Sequence, residues 1–72
     1  MKYYIQFYHL RNGSFVEGIG DRQFIRVDGR LSLANMKQIG LQEMEKRKYD
    51  GFRVARGIRL DNLFYLTAAV IS

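Results

Sequence analysis

A chain of 72 residues has room for one core, since a domain this small buries only about 60% of the surface its unfolded form exposes; a second domain is excluded. With no Cys, disulfides and thiolate metal sites are excluded too, so packing, alone or helped by self-association, has to hold the fold. A hydrophobic content of 47% with five Tyr and five Phe and a formal net charge of +5 is that of a folding, basic chain rather than a disordered one.

Residues 2–10 alternate Tyr3, Ile5, Phe7 and His9 with Tyr4, Gln6, Tyr8 and Leu10, a run of β-favouring side chains that predicts a strand. Asn12-Gly13 tolerates the two positive φ angles of a type I′ turn and should fold residues 15–19 back as an antiparallel partner. Gly18-Ile19-Gly20-Asp21 interrupts that return as a bulge or turn. Residues 23–27 resume extended structure until Asp28-Gly29 turns the chain again.

A helix is predicted from Ser32 or Asn35 through Lys48. Either residue can serve as N-cap, and Asn35 with Gln38 has the form of a capping box. Leu33, Met36, Gly40 and Met44 share one face, flanked by Ile39 and Leu41, and this face should lie on the sheet. Gly40 costs about 1 kcal/mol relative to Ala in a helix interior and signals a close backbone approach. Glu43 and Arg47 form an i,i+4 pair, basic residues 46–48 suit the negative end of the helix dipole, and Asp50-Gly51 ends the element.

Residues 52–56 predict a short strand with Phe52 and Val54 inward and Arg53 outward, followed by a loop over 57–62. Residues 63–71 are apolar on both faces, as in a strand at the middle of a sheet; a helix is the rival, because Leu60, Leu63, Phe64, Ala68 and Ile71 also fit a helical stripe. The run is about half the length of a membrane span, so no membrane partner is expected. Met1-Lys2 leads into Tyr3 without an apolar leader or cleavage site, and the expected location is cytoplasmic.

The fold class expected is α+β: a four- or five-stranded mixed sheet in the order β-β-(β)-α-β-β with one helix packed on one face. With the first and last strands paired at the centre, this order resembles the β-grasp arrangement of ubiquitin-like domains. The ending Val70-Ile71-Ser72 lacks a modifier's Gly-Gly tail, so the resemblance implies no conjugation chemistry. In overall character the chain also resembles the small accessory proteins encoded by phages and prophages, several of which bind and block a host factor. That likeness implies an inhibitor or adaptor.

No catalytic, metal or cofactor constellation stands out. His9 is the only histidine, so a metal site would rest on scattered carboxylates, and an ordinary sheet histidine is the expectation. Ser14 or Ser32 with His9 and Asp21 or Asp28 is a formal triad that nothing in the order of residues brings together. Gly18-Ile19-Gly20 begins like a dinucleotide fingerprint, but Gln23 holds the third glycine position and the β-α-β context is missing. No cofactor and no enzymatic activity are expected.

Charge is distributed more informatively. Residues 46–59 hold Lys46, Arg47, Lys48, Arg53, Arg56 and Arg59 against Asp50 alone, while the other six basic and six acidic residues cancel. The whole excess therefore lies in one segment, where it predicts a continuous positive surface for an acidic protein or for phosphates. Charge compensation at a helix end and protection of an edge strand are the competing explanations. Tyr4 and Tyr8 form a second candidate surface: if their side of the sheet is open they suit stacking or a protein partner, and if it is closed a second copy in a homodimer is one way to cover it. The leading expectation is a non-enzymatic protein-binding module acting on an acidic partner, with sequence-tolerant nucleic-acid binding as the alternative.

Overall fold

The computed structural model describes residues 2–16, 24–27 and 32–71. Its strands are β1 (Lys2–Arg11), β2 (Ser14–Val16), β3 (Phe24–Val27), β4 (Gly51–Arg59), β5 (Asn62–Tyr65) and β6 (Val70–Ile71), with one helix, α1 (Leu33–Arg47), between β3 and β4. The turns expected at residues 18–21 and 28–29 lie outside the described residues. The α+β class and the single helix are as expected.

β1 organises the sheet. On one side it pairs with β2 through residues 9–11 and with β3 through residues 3–6; on the other it pairs with β4 along residues 2–8. β4 in turn carries β6 at its start and β5 at its end. Six strands therefore fill four rows. Every described pair is antiparallel, so among the described residues the sheet is antiparallel where a mixed one is expected, and the first strand lies beside β4 rather than beside the last segment. β3 and β4 both run antiparallel to β1 from opposite sides, so they run the same way, and the α1 connection between them carries the helix across β1.

The turn at Asn12 and Gly13 has φ of 52° and 78°, the pair of positive values that the dipeptide predicts. At the start of α1 the N-cap is Ser32, whose hydroxyl accepts the Asn35 N–H at 3.2 Å; Asn35 lies inside the first turn. The helix stops at Lys48 rather than at Asp50-Gly51. Lys48 takes the left-handed conformation, φ 61° and ψ 45°, and the Tyr49 N–H bonds back to the Met44 carbonyl at 2.9 Å, which satisfies a terminal carbonyl without a glycine.

The helix buries a narrow stripe, Met36, Gly40 and Met44, and Leu33 and Leu41 remain exposed. Gly40 explains this. A β-carbon there would stand 2.3 Å from a ring carbon of Phe52, so the backbone of α1 rests directly on that ring, and flanking side chains need not turn inward. Ile5, Phe7, Phe52 and Val54, facing each other across β1 and β4, complete the core with Val27.

β4 continues to Arg59, through residues expected to be a loop, because Gly57 pairs with Leu63 and Arg59 with Asn62. Ile58 is left between them as the extra residue of a bulge, which re-aims its side chain. Residues 63–71 form neither one central strand nor a helix. β5 leaves β4 after Leu66 has donated its N–H to the Val54 carbonyl at 2.8 Å, and the Thr67 hydroxyl takes the Val54 N–H at 3.0 Å in place of a backbone carbonyl. The side chain thus closes the gap before β6. Thr67→Val, which keeps the shape and loses the acceptor, is expected to cost about 1–2 kcal/mol, because Val54 is buried and its N–H is stranded. Chemical denaturation, with Thr67→Ser close to wild type, checks this.

Candidate functional site

Strands alternate faces, and this decides the fate of the basic segment. Ile5 with Val54 and Phe7 with Phe52 face the helix, as does Arg56, which pairs with Tyr3. Arg53 pairs with Gln6 on the opposite face. Lys46, Arg47 and Lys48 stand at the end of α1, next to the start of β4. Arg59 is at the other end of β4, roughly 26 Å away at about 3.3 Å per residue. The six basic side chains therefore do not form the single continuous surface that their clustering along the chain predicts.

Their individual settings differ as well. Arg47 is held by Glu43 at 3.0 Å and reaches over the Phe7 ring, so the i,i+4 pair forms as expected. Lys46 and Lys48 are exposed beside the helix terminus, where they complement its dipole. Arg53 is half-buried. Its guanidinium carbon lies 3.3 Å from the centroid of Tyr65 and 5.0 Å from that of Tyr8, and its Nε donates to the Gln6 carbonyl oxygen at 3.1 Å. That oxygen also accepts the Tyr8 hydroxyl at 2.7 Å. Gln6, only 2% exposed, is the hub of a polar network that the alternation of the first strand did not announce.

Tyr4 and Tyr8 are not an open stacking platform. Both are buried, Tyr4 edge-on to Phe24 and Tyr8 against Phe15. The flanking strands bring these rings over the helix-free face, and Phe15 packs onto Gly51, where a β-carbon would meet it at 2.8 Å. The chain's own Phe24 and Phe15 thus help to bury these two rings.

What the fold does bring together is the far end of β4 and β5. Arg56, Arg59, Ile58, Asn62, Asp61 and Phe64 line an open cleft of about 510 Å³. Ile58 is 75% exposed and Phe64 66%, two large apolar side chains kept in water. Arg56 lies over the Phe64 ring, its guanidinium carbon 5.6 Å from the centroid. Its Nε is buried and, among the described residues, has no hydrogen-bond partner. Two arginines outweigh Asp61 here, so the cleft is positive as well as apolar. Ile58 and Phe64 were not singled out by the sequence; the signal available was Gly57, an isolated glycine in a strand pattern, which marks bulges.

His9 is half-exposed, its ring 4.5 Å from that of Tyr49 and its Nδ1 3.9 Å from an Asp50 carboxylate oxygen. The same oxygen accepts the Leu10 N–H at 2.6 Å, so Asp50 serves the backbone where β1 leaves β4. Neither the β4–β5 cleft nor the shallower one along Asn35 and Ile39 of α1 includes His9. Among the described residues no three His, Asp or Glu side chains gather as metal ligands, and no helix is long and apolar enough to cross a membrane. No protein-family model, curated protein or solved structure matches the chain.

Proposed function

We propose that this protein is a non-enzymatic binding module that engages an acidic protein partner through the β4–β5 cleft, with Ile58 and Phe64 as apolar anchors and Arg56 and Arg59 as the charged rim. The observation that carries the reading is the pair of Arg56 and Phe64: an exposed aromatic ring with a guanidinium over it, 5.6 Å from its centroid, and partly stripped of water. Aromatic and Arg side chains dominate binding hot spots. A group desolvated beforehand pays less when a carboxylate arrives, and the bond it then makes is charge-assisted. The inhibitor or adaptor role implied by the likeness to phage accessory proteins belongs to this reading, as does action in the cytoplasm.

Nucleic-acid binding is less well supported, because a phosphate-tracking surface needs its cations in one strip and the basic residues here are divided between two ends and two faces. Capture from nuclease-treated lysate at low salt separates the two. Wild-type protein is expected to retain a discrete set of proteins; Phe64→Ser and Arg56→Glu each lower recovery roughly tenfold or more; and Lys46→Glu, an equal charge reversal at the opposite end, stays within about twofold. Recovery of nucleic acid alone, abolished by nuclease, contradicts the reading.

A further inference from the structure

The outer edge of β5 carries a more specific arrangement than the cleft alone. We infer that this edge accepts an extended segment of the partner as an added strand, and that the segment carries an acidic residue on the helix face of the sheet, beside Phe64. The inference rests on the binding-module reading and adds where and in what conformation the partner docks.

Backbone direction comes first. Leu66 donates to the Val54 carbonyl, so Val54 turns its peptide groups toward the β5 row. In an antiparallel ladder that orientation alternates. Counting along the register from Val54, Arg56 and Phe64 turn toward each other, whereas Tyr65 opposite Ala55 and Leu63 opposite Gly57 turn their N–H and C=O groups outward. No described strand pairs with that side of β5. Two residues two apart, each presenting a donor and an acceptor, are the repeat that strand addition uses.

Side chains then specify the segment. Arg56 lies over Phe64 on the helix face, whereas Arg53, on the other face against Tyr65, is turned back to Gln6 of β1 by its Nε. The Arg56 guanidinium is thus the charge set beside the β5 row, with an incoming chain about one strand spacing of 4.8 Å beyond Phe64. Successive residues of an added strand point to alternate faces, so the residue beside Phe64 is the one that faces Arg56. A carboxylate there finds the arginine. Arginines beside an edge also discourage unwanted pairing, and the distinction is that a deterrent repels every strand, whereas this arrangement selects an acidic one.

The probe is a capped eight-residue peptide of Val and Thr with one central Glu residue, titrated into the ¹⁵N-labelled full chain at low salt. The expected result is that the Leu63 and Tyr65 amides shift and become protected from hydrogen exchange. Replacing the Glu by Gln should weaken binding roughly tenfold or more. N-methylation of alternate amides should abolish binding on one edge of the peptide and spare it on the other. Because the peptide is altered rather than the protein, the result does not depend on a variant folding, and Arg56→Gln provides the matching change on the protein. The inference is overturned by no binding at millimolar peptide, by binding that leaves those two amides unprotected, by indifference to methylation, or by protection already present in the free protein with a dimer's mass, which makes a second copy the occupant. If the peptide fails while lysate capture still depends on Phe64, only the docking mode is wrong; if capture yields nucleic acid alone, the binding-module reading fails with it.

Discussion

Phe52→Ala is expected to cost about 3–5 kcal/mol, close to the whole stability of a 72-residue domain at roughly 0.05–0.15 kcal/mol per residue. Phe52 is fully buried, paired across the sheet with Phe7, and its ring supports the backbone of α1 at Gly40. Removing it leaves a cavity between helix and sheet that neither can close. The same contact reverses an ordinary expectation at Gly40. In a solvent-facing helix interior Gly→Ala gains about 1 kcal/mol; here the added β-carbon would overlap the ring at 2.3–2.8 Å. Overpacking of that kind costs about 1–3 kcal/mol, so Gly40→Ala is expected to destabilise. Combining Gly40→Ala with Phe52→Leu should cost less than the two single changes added. Denaturant midpoints for the four proteins of this cycle check the coupling, and a stabilising Gly40→Ala contradicts the packing described.

Gln6→Leu is the second large effect, expected at about 2–4 kcal/mol. The Gln6 carbonyl oxygen accepts from both the Tyr8 hydroxyl and Arg53 Nε, so a shape-preserving leucine withdraws the shared acceptor from two donors at once. Tyr8 is 3% exposed and its hydroxyl has little access to water as a substitute. Combining Tyr8→Phe with Gln6→Leu should cost less than the two single changes added, because the bond between them is then lost only once. This sub-additivity, read from unfolding curves, identifies a buried network rather than a generic loss of packing. Additive losses contradict it.

Local signals were legible where one residue type answers one backbone need. Asn12-Gly13 and the Glu43–Arg47 pair could be read directly; Ser32 was one of two cap candidates beside Asn35, and the helical stripe was right at Met36, Gly40 and Met44 but not at Leu33, which is exposed. Charge was misread for a simple reason. Residues 46–59 were summed along the chain, whereas Arg53 and Arg56, three apart in a strand, necessarily face opposite ways. The apolar run 63–71 presents a different difficulty: it reads as a buried central strand, yet Phe64 and Ile71 are exposed along an outer row. Apolar composition does not distinguish a side chain buried in its own core from one kept for a partner. Pairing order was not legible either, because β1 can be flanked by any of the later strands without altering its own alternation. The Gln6 hub depends on that order, since only the pairing with β4 brings Arg53 opposite it.

Site-specific photocrosslinking tests the central claim most directly. With benzoylphenylalanine in place of Phe64, irradiation in lysate is expected to give discrete protein adducts that survive nuclease, and the same group in place of Lys46, exposed at the opposite end of β4, to give none of them. Adducts that disappear with nuclease, or that form equally from both positions, would contradict a docking surface at the β4–β5 end.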